Sequence, residues 1–85
     1  MRVTVLLFAR LREIAGAAEV ALELEAPSGT IADVWAALVA RHPALAPHAA
    51  SMSCARNAEY ARMGVPVAEG DEIAFLPPVS GGDLG

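Results

Sequence analysis

One stretch of this chain carries the periodicity of a long amphipathic helix. Ile31, Val34, Trp35, Leu38 and Val39 fall at i, i+3, i+4, i+7 and i+8, a single helical stripe. Thr30 is its expected N-cap, with Asp33 three positions on as a variant of the capping box. His42-Pro43 ends the helix, because a residue before proline avoids the α region. One helix with one apolar stripe can bury it against one face of a sheet, so the remaining segments must supply that sheet.

They read as strands in the required places. Arg2 to Phe8 is rich in β-branched and large apolar residues, with Val3, Val5 and Leu7 on one face and Arg2, Thr4, Leu6 and Phe8 on the other. The second face starts polar and ends apolar, which predicts a partly exposed patch near Phe8. Arg10 to Ala15 makes a short helical turn stopped at Gly16. Glu19 to Glu25 alternates, placing Val20, Leu22 and Leu24 inward and Glu19, Glu23 and Glu25 outward, a half-buried antiparallel strand. Pro27-Ser28-Gly29 is a turn. Pro43 to Ser51 reads as a loop with at most a few helical residues, and Met52 to Arg56 as a strand. Asn57-Ala58-Glu59 turns into a short strand around Tyr60-Ala61, and Gly64 to Gly70 reads as a loop centred on Pro66. Asp71 to Leu76 is the last strand, with Ile73 and Phe75 on one face and Ala74 and Leu76 on the other. The first strand, apolar on both faces over part of its length, is expected at the centre of the sheet.

With 85 residues, 55% hydrophobic and 5% aromatic, the chain supports one small, mostly aliphatic core. No apolar run reaches the roughly 18 residues that span a bilayer, and no signal peptide leads the chain, so a soluble cytoplasmic protein without a membrane partner is expected. A formal charge of −4 and a pI near 4.9 argue against nucleic acid. Cys54 is the only cysteine, which excludes an internal disulfide and leaves a packed apolar role as its expected one. No metal site is expected. Trp35 is assigned to the core, and His42 and His48 to solvated or capping positions. All six basic residues are arginine, so no side chain of this chain can accept an isopeptide.

The last strand runs into Phe75-Leu76-Pro77-Pro78-Val79-Ser80-Gly81-Gly82, followed by Asp83-Leu84-Gly85. The prolines end the ladder and hold the backbone extended, and the glycines leave it thin enough to enter a narrow channel. Gly70-Asp71-Glu72-Ile73-Ala74-Phe75-Leu76 followed by Pro-Pro-Val-Ser-Gly-Gly resembles the closing segment of the molybdopterin synthase small subunit, a ubiquitin-like sulfur carrier. Val5-Leu6-Leu7-Phe8-Ala9-Arg10-Leu11-Arg12-Glu13 is similar to that family's first strand and turn. Asn57-Ala58-Glu59-Tyr60 is similar to its Val-Asn turn, with Arg56 where an aliphatic residue is usual. The likeness runs in order from residue 3 to residue 82.

The resemblance implies an α+β, β-grasp fold: a mixed four- to five-stranded sheet with one main helix on one face. It implies a domain over residues 1–77 and a C-terminal tail over 78–85. It also implies a sulfur carrier for molybdenum cofactor synthesis that is not catalytic alone and binds no cofactor, the ATP being used by its activating partner. A ubiquitin-activating-type ATPase would convert the Gly82 carboxylate to an acyl adenylate, and sulfur would displace AMP to leave a thiocarboxylate. The tail would then donate that sulfur in the large subunit of the synthase. Gly82 and Gly81 are the implied reactive end. Phe8, Arg12, Tyr60, Leu76, Pro77, Pro78, Val79 and Ser80 are the implied partner-binding residues, with Arg10 beside Arg12.

Asp83-Leu84-Gly85 locks the Gly82 carboxyl in a peptide bond, so activation requires their removal by a processing peptidase. A fusion with the large subunit, residues foreign to the natural chain, and loss of carrier activity are the other accounts of this extension. Three further functions remain open: a ubiquitin-like protein modifier, a sulfur carrier for thiamin or cysteine synthesis, and a β-grasp interaction domain without chemistry.

Overall fold

The computed structural model describes residues 1–25 and 28–78. Pro27 of the expected turn and Val79 to Gly85 of the tail lie outside the described residues. Five strands form one mixed sheet: β1 (Arg2–Leu7), β2 (Glu19–Glu23), β4 (Ser53–Arg56), β5 (Glu59–Ala61) and β7 (Glu72–Leu76), ordered β2-β1-β7-β4-β5. β1 is an interior strand, antiparallel to β2 and parallel to β7, and β7 is the middle one of the five. Helix α2 (Ile31–Arg41) packs on one face, and the shorter α1 (Ala9–Ala15) follows β1. This is the β-grasp arrangement expected of the chain.

The alternation read along the strands holds in three dimensions. Val3, Val5, Leu7, Val20, Leu22, Ile73 and Phe75 are buried on the helix-facing side. They meet Ile31, Val34, Trp35 and Leu38 of α2, Leu11 of α1, and Leu45. Trp35 packs edge-on against Phe75, ring centroids 5.0 Å apart. Each fully buried Val, Leu, Ile or Phe side chain contributes about 1.5–3 kcal/mol relative to exposure. Cys54 is buried in the same layer, its thiol donating to the Ala61 carbonyl at 3.1 Å. Burial pushes that thiol's pKa up, which disfavours the reactive thiolate and suits the packed role.

The helix ends follow their local chemistry. Thr30 and Asp33 complete the capping box: Thr30 Oγ1 accepts from the Asp33 N–H at 3.4 Å, and Asp33 Oδ2 accepts from the Thr30 N–H at 2.9 Å. Gly16 closes α1 with φ +75°, donating to the Arg12 carbonyl. Pro43–Ser51 is a continuous 3₁₀ segment rather than a loop, pinned by buried Leu45. A second correction concerns Gly64 to Gly70. It contains β6 (Pro66–Val67), which pairs antiparallel with β3 (Gly29–Thr30). The Val65 carbonyl also accepts from Ile31 N–H, so this small ladder joins the start of α2 to the loop before β7.

Between β4 and β5 the chain reverses through Asn57 and Ala58, both left-handed at φ +50° and +71°. Positive φ at both central residues is the two-residue hairpin turn that matches strand twist and favours Asn followed by Gly. Here alanine occupies the glycine position. The strain of about 1–2 kcal/mol at such a residue exceeds the roughly 0.5–1 kcal/mol entropic cost of glycine. Ala58→Gly is therefore expected to raise the urea midpoint, corresponding to a gain of about 0.5 kcal/mol. A lowered midpoint would refute the strain assigned to this turn.

Candidate functional site

The sheet face away from α2 is open, and its apolar residues gather at one end. The ladder aligns Leu6 with Ala74, Ala74 with Ala55, and Ala55 with Tyr60. Paired residues project to the same side of a sheet, so this row runs large, small, small, large. Two alanines between Leu6 and Tyr60 make a trough whose walls stand about 14 Å apart, three strand spacings. Phe8 keeps extended geometry (φ −124°, ψ 151°) directly after β1, which sets it level with Leu76. The resulting depression of about 290 Å³ is lined by Leu6, Phe8, Ala55, Ala58, Tyr60, Glu72, Ala74 and Leu76. Phe8 is 43% exposed and Tyr60 81% exposed, the two large apolar side chains left in solvent among the described residues.

Three of the expected partner-binding residues, Phe8, Tyr60 and Leu76, therefore share one surface. Pro77 and Pro78 continue directly from Leu76, half-buried and exposed respectively, so the chain leaves the sheet at the Phe8–Leu76 end of the trough. Arg12 is exposed on α1 but is not part of the trough lining, and Arg10 is likewise exposed on α1. Val79, Ser80, Gly81 and Gly82 lie outside the described residues. Sequence reading alone did not single out Ala55, Ala58 or Glu72 as lining residues. The parity of β7 placed Ala74 outward, but nothing local in the sequence marks an outward alanine as the floor of a recognition surface.

The far end of the trough is held by Asp71, a buried carboxylate at the start of β7. It accepts from Arg56 Nε at 2.6 Å, Ala68 N–H at 2.7 Å and Asn57 Nδ2 at 3.0 Å. Asn57 in turn brackets Glu72, its side-chain oxygen accepting from the Glu72 N–H at 2.9 Å and its own N–H donating to the Glu72 carbonyl at 2.8 Å. Gly70, left-handed at φ +83°, turns the chain into this position and donates to the Arg2 carbonyl. One carboxylate thus fixes the end of β4, the hairpin turn and the entry to β7. Arg56 is its ionic partner. The Arg56 guanidinium, helped by Asn57 and the Ala68 N–H, holds the Asp71 carboxyl below the usual carboxylate range against the opposing effect of burial.

A lowered folded-state pKa contributes stability that is complete above the unfolded value, about pH 4, and is lost as pH falls through the folded value. Asp71→Asn is expected to cost about 1–3 kcal/mol at neutral pH. The gap from wild type should narrow as pH falls below about 4, where Asp71 of the unfolded chain takes up a proton that the folded carboxylate resists. Denaturant unfolding at pH 7 and pH 3 checks this, and a gap that stays constant or widens in acid would contradict it.

Comparison with known proteins agrees with this geometry. A molybdopterin synthase sulfur carrier subunit of Chlamydomonas reinhardtii is 42% identical over 84 residues, covering 96% of this chain and all of that protein. Small archaeal modifier protein 1 of Haloferax volcanii is 39% identical over 84 residues, covering 89% of this chain and 95% of its own. The crystal structure of that modifier superposes with a TM-score of 0.83, covering 95% of this chain and 99% of the other at 35% identity. The ThiS family model matches residues 5–82, nearly the whole length and inclusive of the paired glycines. The chain belongs to the ThiS family, within which its relatives include ubiquitin-like sulfur carrier subunits of molybdopterin synthase.

Proposed function

We propose that this protein is the sulfur-carrier subunit of a molybdopterin synthase and acts in molybdenum cofactor biosynthesis. The observation that carries the reading is the position of the trough: its Phe8–Leu76 end is where β7 passes into Pro77-Pro78 and onward to Gly81-Gly82. A protein that binds the trough receives the chain end beside its own surface. The near-full-length likeness to sulfur carrier subunits supports the same reading.

On this reading residues 1–77 are the docking body and 78–85 the reactive tail. Cleavage after Gly82 removes Asp83-Leu84-Gly85 and frees a carboxylate, which is a poor electrophile. The ATPase partner joins it to AMP, releasing pyrophosphate. A persulfide sulfur then attacks the acyl carbon and AMP leaves. A thiol cleaves the resulting disulfide, so the tail ends as a thiocarboxylate. That anion is a softer nucleophile than the original carboxylate, and it transfers sulfur within the large subunit. Phe8, Tyr60 and Leu76 supply apolar contact to both partners in turn, with Arg12 at the margin pairing with carboxylates. On the same reading the protein works in the cytoplasm, beside its ATP-using partner.

The likeness to a small archaeal modifier favours a second reading, in which Gly82 is joined to lysines of other proteins. Covalent ladders on denaturing gels would mark that outcome. The leading reading predicts that a chain ending at Gly82, incubated with the cognate ATPase, ATP and a persulfide donor, gains the mass difference between sulfur and oxygen. The chain that retains Asp83-Leu84-Gly85 should stay unchanged. A trimmed chain that never gains that mass would overturn the proposal. For the docking surface, Phe8→Ala is expected to stay within about 0.5 kcal/mol of wild-type stability. It should nevertheless bind the large subunit at least about tenfold more weakly, a loss of about 1.4 kcal/mol by calorimetry.

A further inference from the structure

The outward sheet face carries three acids whose circumstances differ. Glu23 is compensated within the chain: the N-terminal ammonium lies 3.1 Å and Arg2 Nε 3.4 Å from its carboxylate. The ammonium foremost, with Arg2, holds that carboxyl below its ordinary range. Glu19 and Glu72 are exposed and make no ion pair with any described residue. Glu19 pairs across the ladder with Leu6, on the outer side of the trough wall, whereas Glu72 pairs with Thr4 and lines the depression itself. Two hydrogen bonds with Asn57, one accepted and one donated, fix the Glu72 backbone, so the residue is held on the ladder rather than carried on a mobile loop.

We infer that Glu72 selects and orients the docking partner by requiring a Lys or Arg side chain opposite the end of the trough remote from the tail. This inference rests on the docking reading above and deepens it. A partner that fills the space between Leu6 and Tyr60 strips water from Glu72. A carboxylate desolvated without a counter-charge is costly, whereas a facing cation offsets the loss. A neutral or acidic surface with the same apolar contour is thereby rejected. The opposite end of the lining bears no acid: Phe8 and Leu76 stand there. The trough lining is thus acidic away from the tail and apolar near it. Only one orientation of a complementary partner satisfies both ends, and that orientation also delivers the chain end to the same place on the partner each time.

The test is the association rate of the full folded chain with the purified cognate large subunit, followed by stopped flow at low and high salt. Glu72→Gln should slow association about 3- to 10-fold at low salt, and Glu72→Lys should slow it further, with both differences shrinking at high salt. Glu25→Gln, which removes the same charge from an exposed position outside the trough lining, should leave the rate unchanged. Thermal melts confirm that each variant is folded. Wild-type binding with a Glu72→Gln rate equal to wild type, or equal to that of a comparably slowed Glu25→Gln, would overturn this inference and leave the docking reading standing. Failure of the wild-type chain to bind would overturn both.

Discussion

The parallel pairing of β1 with β7 is the constraint on which the rest of this structure depends. Thr4 to Leu7 align with Glu72 to Phe75, so residues almost a full chain length apart form the centre of the sheet. Such pairing closes a long loop, so it carries a large entropic cost that the contacts it brings together must offset. Once formed, it places Val5, Leu7, Ile73 and Phe75 side by side beneath α2 and gives the helix stripe a surface to cover. The same register sets Phe8 level with Leu76. The exposed aromatic ring and the start of the tail are neighbours because the core is built this way.

A five-stranded sheet with one long helix has a face to spare. On the helix side, large aliphatic side chains interdigitate and the single cysteine fills a small position. On the other side, Ala55 and Ala74 lie between larger neighbours, so the outward surface is concave where a covering helix would need it filled. The Asp71 clasp maintains this shape from the edge. By tying Arg56, Asn57 and the Ala68 backbone together, it holds the hairpin turn at the trough's far end despite an alanine in a glycine conformation. Stability and recognition therefore meet in the Gly70-Asp71-Glu72 run. Asp71 faces inward to the clasp, and Glu72 outward to whatever docks.

Much of the fold was legible from local pattern. The α2 stripe and its capping box, the strict alternation of Glu19 to Glu25, and the stop at Gly16 each depend on residues within a few positions of one another. An interior place for the first strand followed from its being apolar on both faces, although β7 and not β1 is the middle strand. The two-residue ladder of Gly29–Thr30 with Pro66–Val67 was not legible, because two residues carry no periodicity and Pro66 argues for a loop. Nor was the extent of the 3₁₀ segment, where buried Leu45 decides a stretch of weak preference. The Asp71 network joins residues 56, 57, 68 and 71, a set that only the closed sheet brings together. Of the candidate site, Phe8 and Leu76 were readable from strand parity. The floor alanines and the anchored Glu72 acquire their meaning from register between strands that lie far apart in sequence.

The central claim is that the face opposite α2 is the working surface of this protein. Amide chemical-shift mapping of the labelled chain, titrated with its cognate activating ATPase, tests it most directly. The account predicts perturbations concentrated at Leu6, Phe8, Ala55, Tyr60, Glu72, Ala74 and Leu76, with the exposed side of α2 unaffected. Perturbations centred on α2 or on the 3₁₀ segment, with the trough residues unchanged, would contradict it.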